Sequence, residues 1–157
     1  MPFFKPLIRL PLALMTLIAT SAGAQALNKD NFHEYLHALE TVNSEQLEER
    51  FYHADFSIAL GEDTMDVAAL LEYEQFLKSL VDFSFDVHQI VADESGIAID
   101  ATETFIVKQN ADVPNIGPAR AGERYELRLN VFYSLTDGKI SSITANVLSV
   151  EKGQPKR

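Results

Sequence analysis

Two arrangements in this 157-residue sequence could carry chemistry. The first is His33-Glu34-Tyr35-Leu36-His37, an H-E-x-x-H pattern. On a helix that spacing puts two imidazoles on one face, able to hold zinc, with the glutamate as general base. Helical geometry works against it here. At about 100° per residue, both histidines fall more than a quarter turn from the apolar stripe of Phe32, Tyr35, Leu36 and Leu39, on the solvent side. The continuation of an extended zinc motif is missing too, with Glu40 and Asn43 where glycine and histidine are needed. No metal is expected.

The second arrangement is built on Glu103. Ile97, Ile99, Ala101, Glu103, Phe105 and Val107 share one face of a period-two run, and Glu103 is its one carboxylate. If that face is buried, desolvation raises its pKa and makes it a candidate general acid or base. Two alternatives leave it structural: curvature or a bulge turns it outward, or Arg128 on a neighbouring strand pairs with it. Tyr35 is either a core aromatic or a hydrogen-bond donor in a pocket. His53 and His88 stand alone and read as structural or surface residues. The sequence has no phosphate-cradling glycine loop, Ser-His-Asp arrangement or calcium loop.

The elements that must position these residues follow from periodicity. Asp30 can cap a helix carrying Phe32, Tyr35, Leu36 and Leu39, and Asn43 with Gln46 has capping-box spacing for a second helix ending near Tyr52. Phe56, Ile58 and Leu60 alternate as a short strand ended by Gly61. Asp66 caps a third helix from Val67 to about Val81, with Leu70, Leu71, Tyr73, Leu77 and Leu80 apolar. From Phe83 the period changes to two. Strands are expected over Phe83–Val87, Ile97–Val107, Arg124–Leu135 and Lys139–Val150. Gln109 to Gly122 reads as a long loop, Asp137-Gly138 as a hairpin turn, and residues 151–157 as a polar tail. Helices followed by an antiparallel meander make an α+β fold.

Composition limits what such a fold can do. With 13 Lys+Arg, 23 Asp+Glu and a net charge of −10, the chain is a poor partner for nucleic acid, which needs clustered cations. The absence of cysteine excludes disulfides, thiolate metal sites and cysteine nucleophiles. Residues 1–26 read as a signal peptide: Lys5 and Arg9, an apolar run from Leu10 to Ala19, then Ala22-Gly23-Ala24 and Ala24-Gln25-Ala26. The run is about half the ~20 residues a membrane span needs, and it contains Pro11. An exported protein is expected, periplasmic or secreted, starting at Gln25 or Leu27, with no membrane attachment after cleavage. Losing Lys5 and Arg9 makes the remaining domain still more acidic.

Four stretches, in order, resemble the nuclear transport factor 2-like superfamily, and within it the SnoaL-like and ketosteroid-isomerase-like branch. They are Phe51-Tyr52-His53-Ala54-Asp55-Phe56, Val91 to Ile99 around the Asp93–Gly96 turn, Pro114 to Gly122, and Val131 to Ile140 with its Asp137-Gly138-Lys139-Ile140 hairpin. The resemblance spans roughly residues 28–150 and implies one domain over residues 27–150. Its shape would be a cone, with three N-terminal helices packed on a strongly curved, mostly antiparallel sheet around an apolar pocket. It implies that Tyr35 matches the isomerases' pocket tyrosine and that Asn130 stands where they carry a protonated acid. Their carboxylate base falls on Leu60. The last strand, Ser141 to Asn146, has no carboxylate or imidazole for the cyclase reaction.

The expected ligand-binding set is therefore Tyr35, Glu103, Arg128, Asn130 and Phe132, around a small and largely apolar molecule, with no cofactor. Binding without the family's catalysis is the first reading. An isomerase or cyclase using Glu103 on a polyketide-like or steroid-like substrate is the second, and a structural domain with a filled pocket is the third. If Asn130 and Phe132 face the pocket, then Tyr125, Leu127, Leu129, Val131, Tyr133 and Leu135 point outward. Such an apolar patch predicts a homodimer through the sheet. In the competing arrangement helices cover those six residues and the Asn130 face is outermost.

Overall fold

The computed structural model describes residues 25–41, 44–60 and 63–153. Residues 1–24 of the expected signal peptide, the Asn43 cap, the Gly61 stop and residues 154–157 of the polar tail lie outside the described residues. Among the described residues no helix is long and apolar enough to cross a membrane.

The chain is α+β, with a mostly antiparallel arrangement of strands. Helices α1 (Phe32–Thr41) and α2 (Ser44–Phe51) come first, then a small hairpin of β1 (Ile58–Leu60) and β2 (Asp63–Met65), then α3 (Val67–Leu80). Strands β3 (Val81–Ala92), β4 (Gly96–Val107), β7 (Arg124–Thr136) and β8 (Lys139–Gly153) form one antiparallel sheet in the order β3-β4-β7-β8. The expected long loop contains a further hairpin, β5 (Ala111–Val113) and β6 (Gly117–Ala119). Its tight turn uses positive φ at Asn115 (64°) and Gly117 (88°). Strand β8 runs three residues past Val150, where Lys152 pairs with Glu123 at 2.6 Å.

Local signals explain most of these boundaries. The Asp66 carboxylate accepts a hydrogen bond from the Ala69 amide at 2.9 Å and starts α3. The turn into α1 is organised by Asn28 and Asn31 rather than by Asp30. Asn28 Oδ1 accepts from the Asp30 amide at 2.9 Å, and Asn31 Oδ1 from the Asn28 amide at 2.7 Å. Asp137 and Gly138 both have positive φ, 51° and 73°, as a two-residue hairpin requires. A side chain at Gly138 would also meet Ala26, because the Leu27 amide donates to the Gly138 carbonyl at 2.8 Å.

The core lies between the helices and one face of the sheet, and this reverses the expected orientation of β7. Tyr125, Leu127, Leu129, Val131 and Tyr133 are buried, while Asn130 is exposed and Phe132 is 44% exposed. The apolar set goes inward because α1 and α3 cover that face; Leu135 is partly buried. The outward apolar patch from which a homodimer was expected is therefore core.

Candidate functional site

On the inner face, β4 presents Ile97, Ile99, Ala101, Glu103, Phe105 and Val107. Cross-strand pairing places Glu103 between Phe85 on β3 and Leu127 on β7. No bulge interrupts β4 here, so Glu103 stays on the buried side. Among the described residues its side chain makes no ion pair, and Arg128 does not pair with it. Arg128 stands on the opposite face and bonds Asp100 instead.

A cavity of about 220 Å³ lies between α1, α3 and this face. Tyr35 and Leu39 line it from α1, Leu70, Tyr73, Glu74 and Leu77 from α3, and Phe83, Phe85, Glu103 and Phe105 from β3 and β4. Leu127, Leu129, Val131 and Tyr133 complete the floor. Exposed Asn115 and Val147 also border it, which marks where it opens to solvent. An apolar cavity of about 150 Å³ holds benzene. The space here suits a molecule of one or two rings.

Glu74 is the residue that sequence reading passed over. It stands four residues after Leu70 and three before Leu77, inside the apolar stripe of α3. Its Oε2 is buried without a hydrogen-bond partner. Burial pushes its pKa up to about 7, partly offset by the Lys78 ammonium one turn away. Burial also raises Glu103, and repulsion from Glu74 adds to it, taking that carboxyl to about 8. Two carboxyls thus share one cavity, and the second proton is hard to remove while the first site is charged.

Tyrosines surround the pair. Tyr35 and Tyr52 hydroxyls bond each other at 2.9 Å, and burial holds both phenols well above their usual range. Tyr133 is raised by burial, then by Glu103 and Glu74; Tyr73 likewise. Phe32, Tyr35 and Tyr133 pack edge-on or tilted with centroids 5.0–5.5 Å apart. Such an arrangement can bind an apolar molecule, donate hydrogen bonds from neutral acids and phenols, and exchange a proton near neutral pH.

Of the five expected ligand residues, the fold brings Tyr35 and Glu103 together. Arg128, Asn130 and Phe132 do not join them. Asn130 and Phe132 border an open concavity of about 350 Å³ on the outer face, beside Gln89, Asp100 and Asn146. Their orientation is corrected by the burial of Leu129, Val131 and Tyr133. The side chain of Leu60, at the family's base position, lies outside the described set. His33 and His37 are exposed, and Glu34 between them is paired with Arg50.

No protein-family profile and no curated protein sequence matches the chain. Solved structures do. A SnoaL-like polyketide cyclase from Agrobacterium tumefaciens is 16% identical with a TM-score of 0.62, over 75% of this chain and 88% of that one. TsrD from Streptomyces laurentii is 13% identical with a TM-score of 0.61, over 78% and 91%. A protein with a ketosteroid isomerase-like fold from Catenulispora acidiphila, in complex with trimethylamine, is 12% identical with a TM-score of 0.55, over 76% and 86%. At these identities the likeness is one of fold. The chain has the nuclear transport factor 2-like fold of the SnoaL-like and ketosteroid isomerase-like proteins.

Proposed function

We propose that this is an exported binding domain whose cavity holds a small, largely apolar molecule. The observation that carries this reading is the cavity itself, about 220 Å³, walled by apolar and aromatic side chains around a few polar groups. Drug-sized ligands occupy pockets of about 300–1,000 Å³, so a four-ring substrate would need the site to open. With Leu60 at the family's base position, the reading is of binding without that family's catalysis. Lys5, Arg9 and the apolar run after them support export, and the outer sheet face is the proposed surface for a second copy.

The test is an NMR titration with toluene, indole and a four-ring steroid. Shifts at Tyr35, Leu127 and Tyr133 with the two small molecules and none with the steroid are expected. No shift with any of them would leave a structural domain and sink the reading.

A second reading, an acid/base enzyme, is favoured by one observation. Glu74 at about 7 and Glu103 at about 8 straddle neutral pH in one cavity. Such a pair supplies a base and an acid together. Deuterium wash-in next to the carbonyl of a small cyclic ketone, lost in Glu74→Gln and Glu103→Gln, would establish it.

A further inference from the structure

Two carboxyl groups share the cavity, and Lys78 offsets the burial of Glu74 only in part. Glu74 enters from α3 and Glu103 from β4, and neither belongs to an ion pair among the described residues. Lys78 lies one turn beyond Glu74, but its ammonium sits 5.8 Å over the Phe83 ring. A second feature points into the same space. Tyr133 lines the cavity at 4% exposure, with both carboxyls acting on its phenol, and Glu74 Oε2 is itself buried without a hydrogen-bond partner. Tyr35 and Tyr52 satisfy each other. The remaining wall is rich in rings, with Tyr73, Phe83 and Phe85. Buried carboxylates need an opposite charge, and ring faces attract one.

We propose that the cavity takes a small organic cation, a tertiary or quaternary ammonium with apolar substituents, its charge between Glu74 and Glu103 and its substituents against Tyr73, Phe83 and Phe85. This rests on the cavity being a ligand site and names the class of ligand. A neutral hydrocarbon would fill the same volume and leave both acids holding protons. A cation displaces those protons, so binding ionises the pair and tightens as pH rises through 7 and 8. The other titratable groups facing the pair are Tyr35 of α1, Tyr52, Tyr73 and Lys78 of α3, and Tyr133 of β7. All four phenols are pushed upward and stay neutral across this range, so the change in charge falls on the two carboxyls.

Phenyltrimethylammonium and its uncharged carbon isostere tert-butylbenzene test this, because the cation carries no titratable proton. Each is titrated into the protein by calorimetry and NMR between pH 6 and pH 9. At pH 8 the cation should bind about tenfold more tightly than the isostere, release protons to the buffer, and weaken several-fold toward pH 6. The double variant Glu74→Gln/Glu103→Gln should lose the preference yet bind tert-butylbenzene as before, which also reports that it is folded. A double variant that keeps the preference overturns the proposal. An isostere that binds as well as the cation throughout overturns the cation and leaves the apolar site standing. Binding of neither molecule overturns both.

Discussion

Asp100 and Glu103 sit three residues apart on the same strand and meet opposite environments. Asp100 is on the outer face, where Arg128 pairs with it, Arg124 pairs with Glu126 at 2.7 Å, and His88 bonds Thr102 at 2.8 Å. Glu103 is on the inner face between Phe85 and Leu127, with a second carboxyl as its charged neighbour. The outer face pairs its charges with one another, although one Asp100 oxygen is buried without a partner, and such partly exposed pairs yield little. The inner face holds carboxyls that burial disfavours as ions, and a fold keeps such groups at a cost to stability. The proposed binding site rests on this contrast.

The largest way to break the contrast is to remove an inner wall. Leu127 is 1% exposed and lines the cavity beside Glu103. Leu127→Ala should cost about 2–5 kcal/mol in chemical denaturation and enlarge the cavity. A loss under about 1 kcal/mol would mean that this face is not the packed core.

Removing the inner charge should act in the other direction. An unfolded glutamate titrates near ~4.3, and folded Glu103 at about 8. Between those values the folded state binds more protons than the unfolded one, so stability falls as pH rises from about 4.3 to 8. Glu103→Gln removes this penalty. It should match the parent near pH 4 and exceed it by about 2 kcal/mol at pH 8, allowing for the partial exposure of the side chain. A difference that stays flat over that range would show a solvated carboxyl.

How legible this was depends on what a pattern can encode. Period-two alternation sorted β7 into two sets correctly, but alternation is symmetric and does not say which set is inside. A match displaced by one residue exchanges the faces of the whole strand, and the likeness that put Asn130 and Phe132 inward carried that error. Burial of apolar area decides it: five of the six alternating residues are buried and Leu135 is partly buried. Glu103 was legible because one carboxylate in an apolar run stands out. Glu74 carries the same signal at helical spacing, between Leu70 and Leu77, but an apolar face of α3 drawn through Tyr73 leaves it out. Strand β1 was legible in the alternation of Phe56, Ile58 and Leu60, but β2, β5 and β6, three residues each, are too short for periodicity to register.

The smallest effect on the folded monomer is expected from the outer face, and it bears on association. Phe132 is 44% exposed beside Asn130, with its ring lying over Gly96 and outside the apolar core, so Phe132→Ala should change the denaturation free energy of the monomer by about 1 kcal/mol or less. Val91, at 59% exposure, shares a cross-strand row and the outer concavity with Ala98 and Phe132, while Ile106, at 43%, stands beside Arg124. If a second copy covers the face, Phe132 lies within the contact, where aromatic side chains tend to dominate the energy. Light scattering at micromolar concentration should then give twice the monomer mass for the parent, and Phe132→Ala should shift it toward one. A parent at the monomer mass would end the dimer proposal and leave the outer face to solvent, with the inner cavity unaffected.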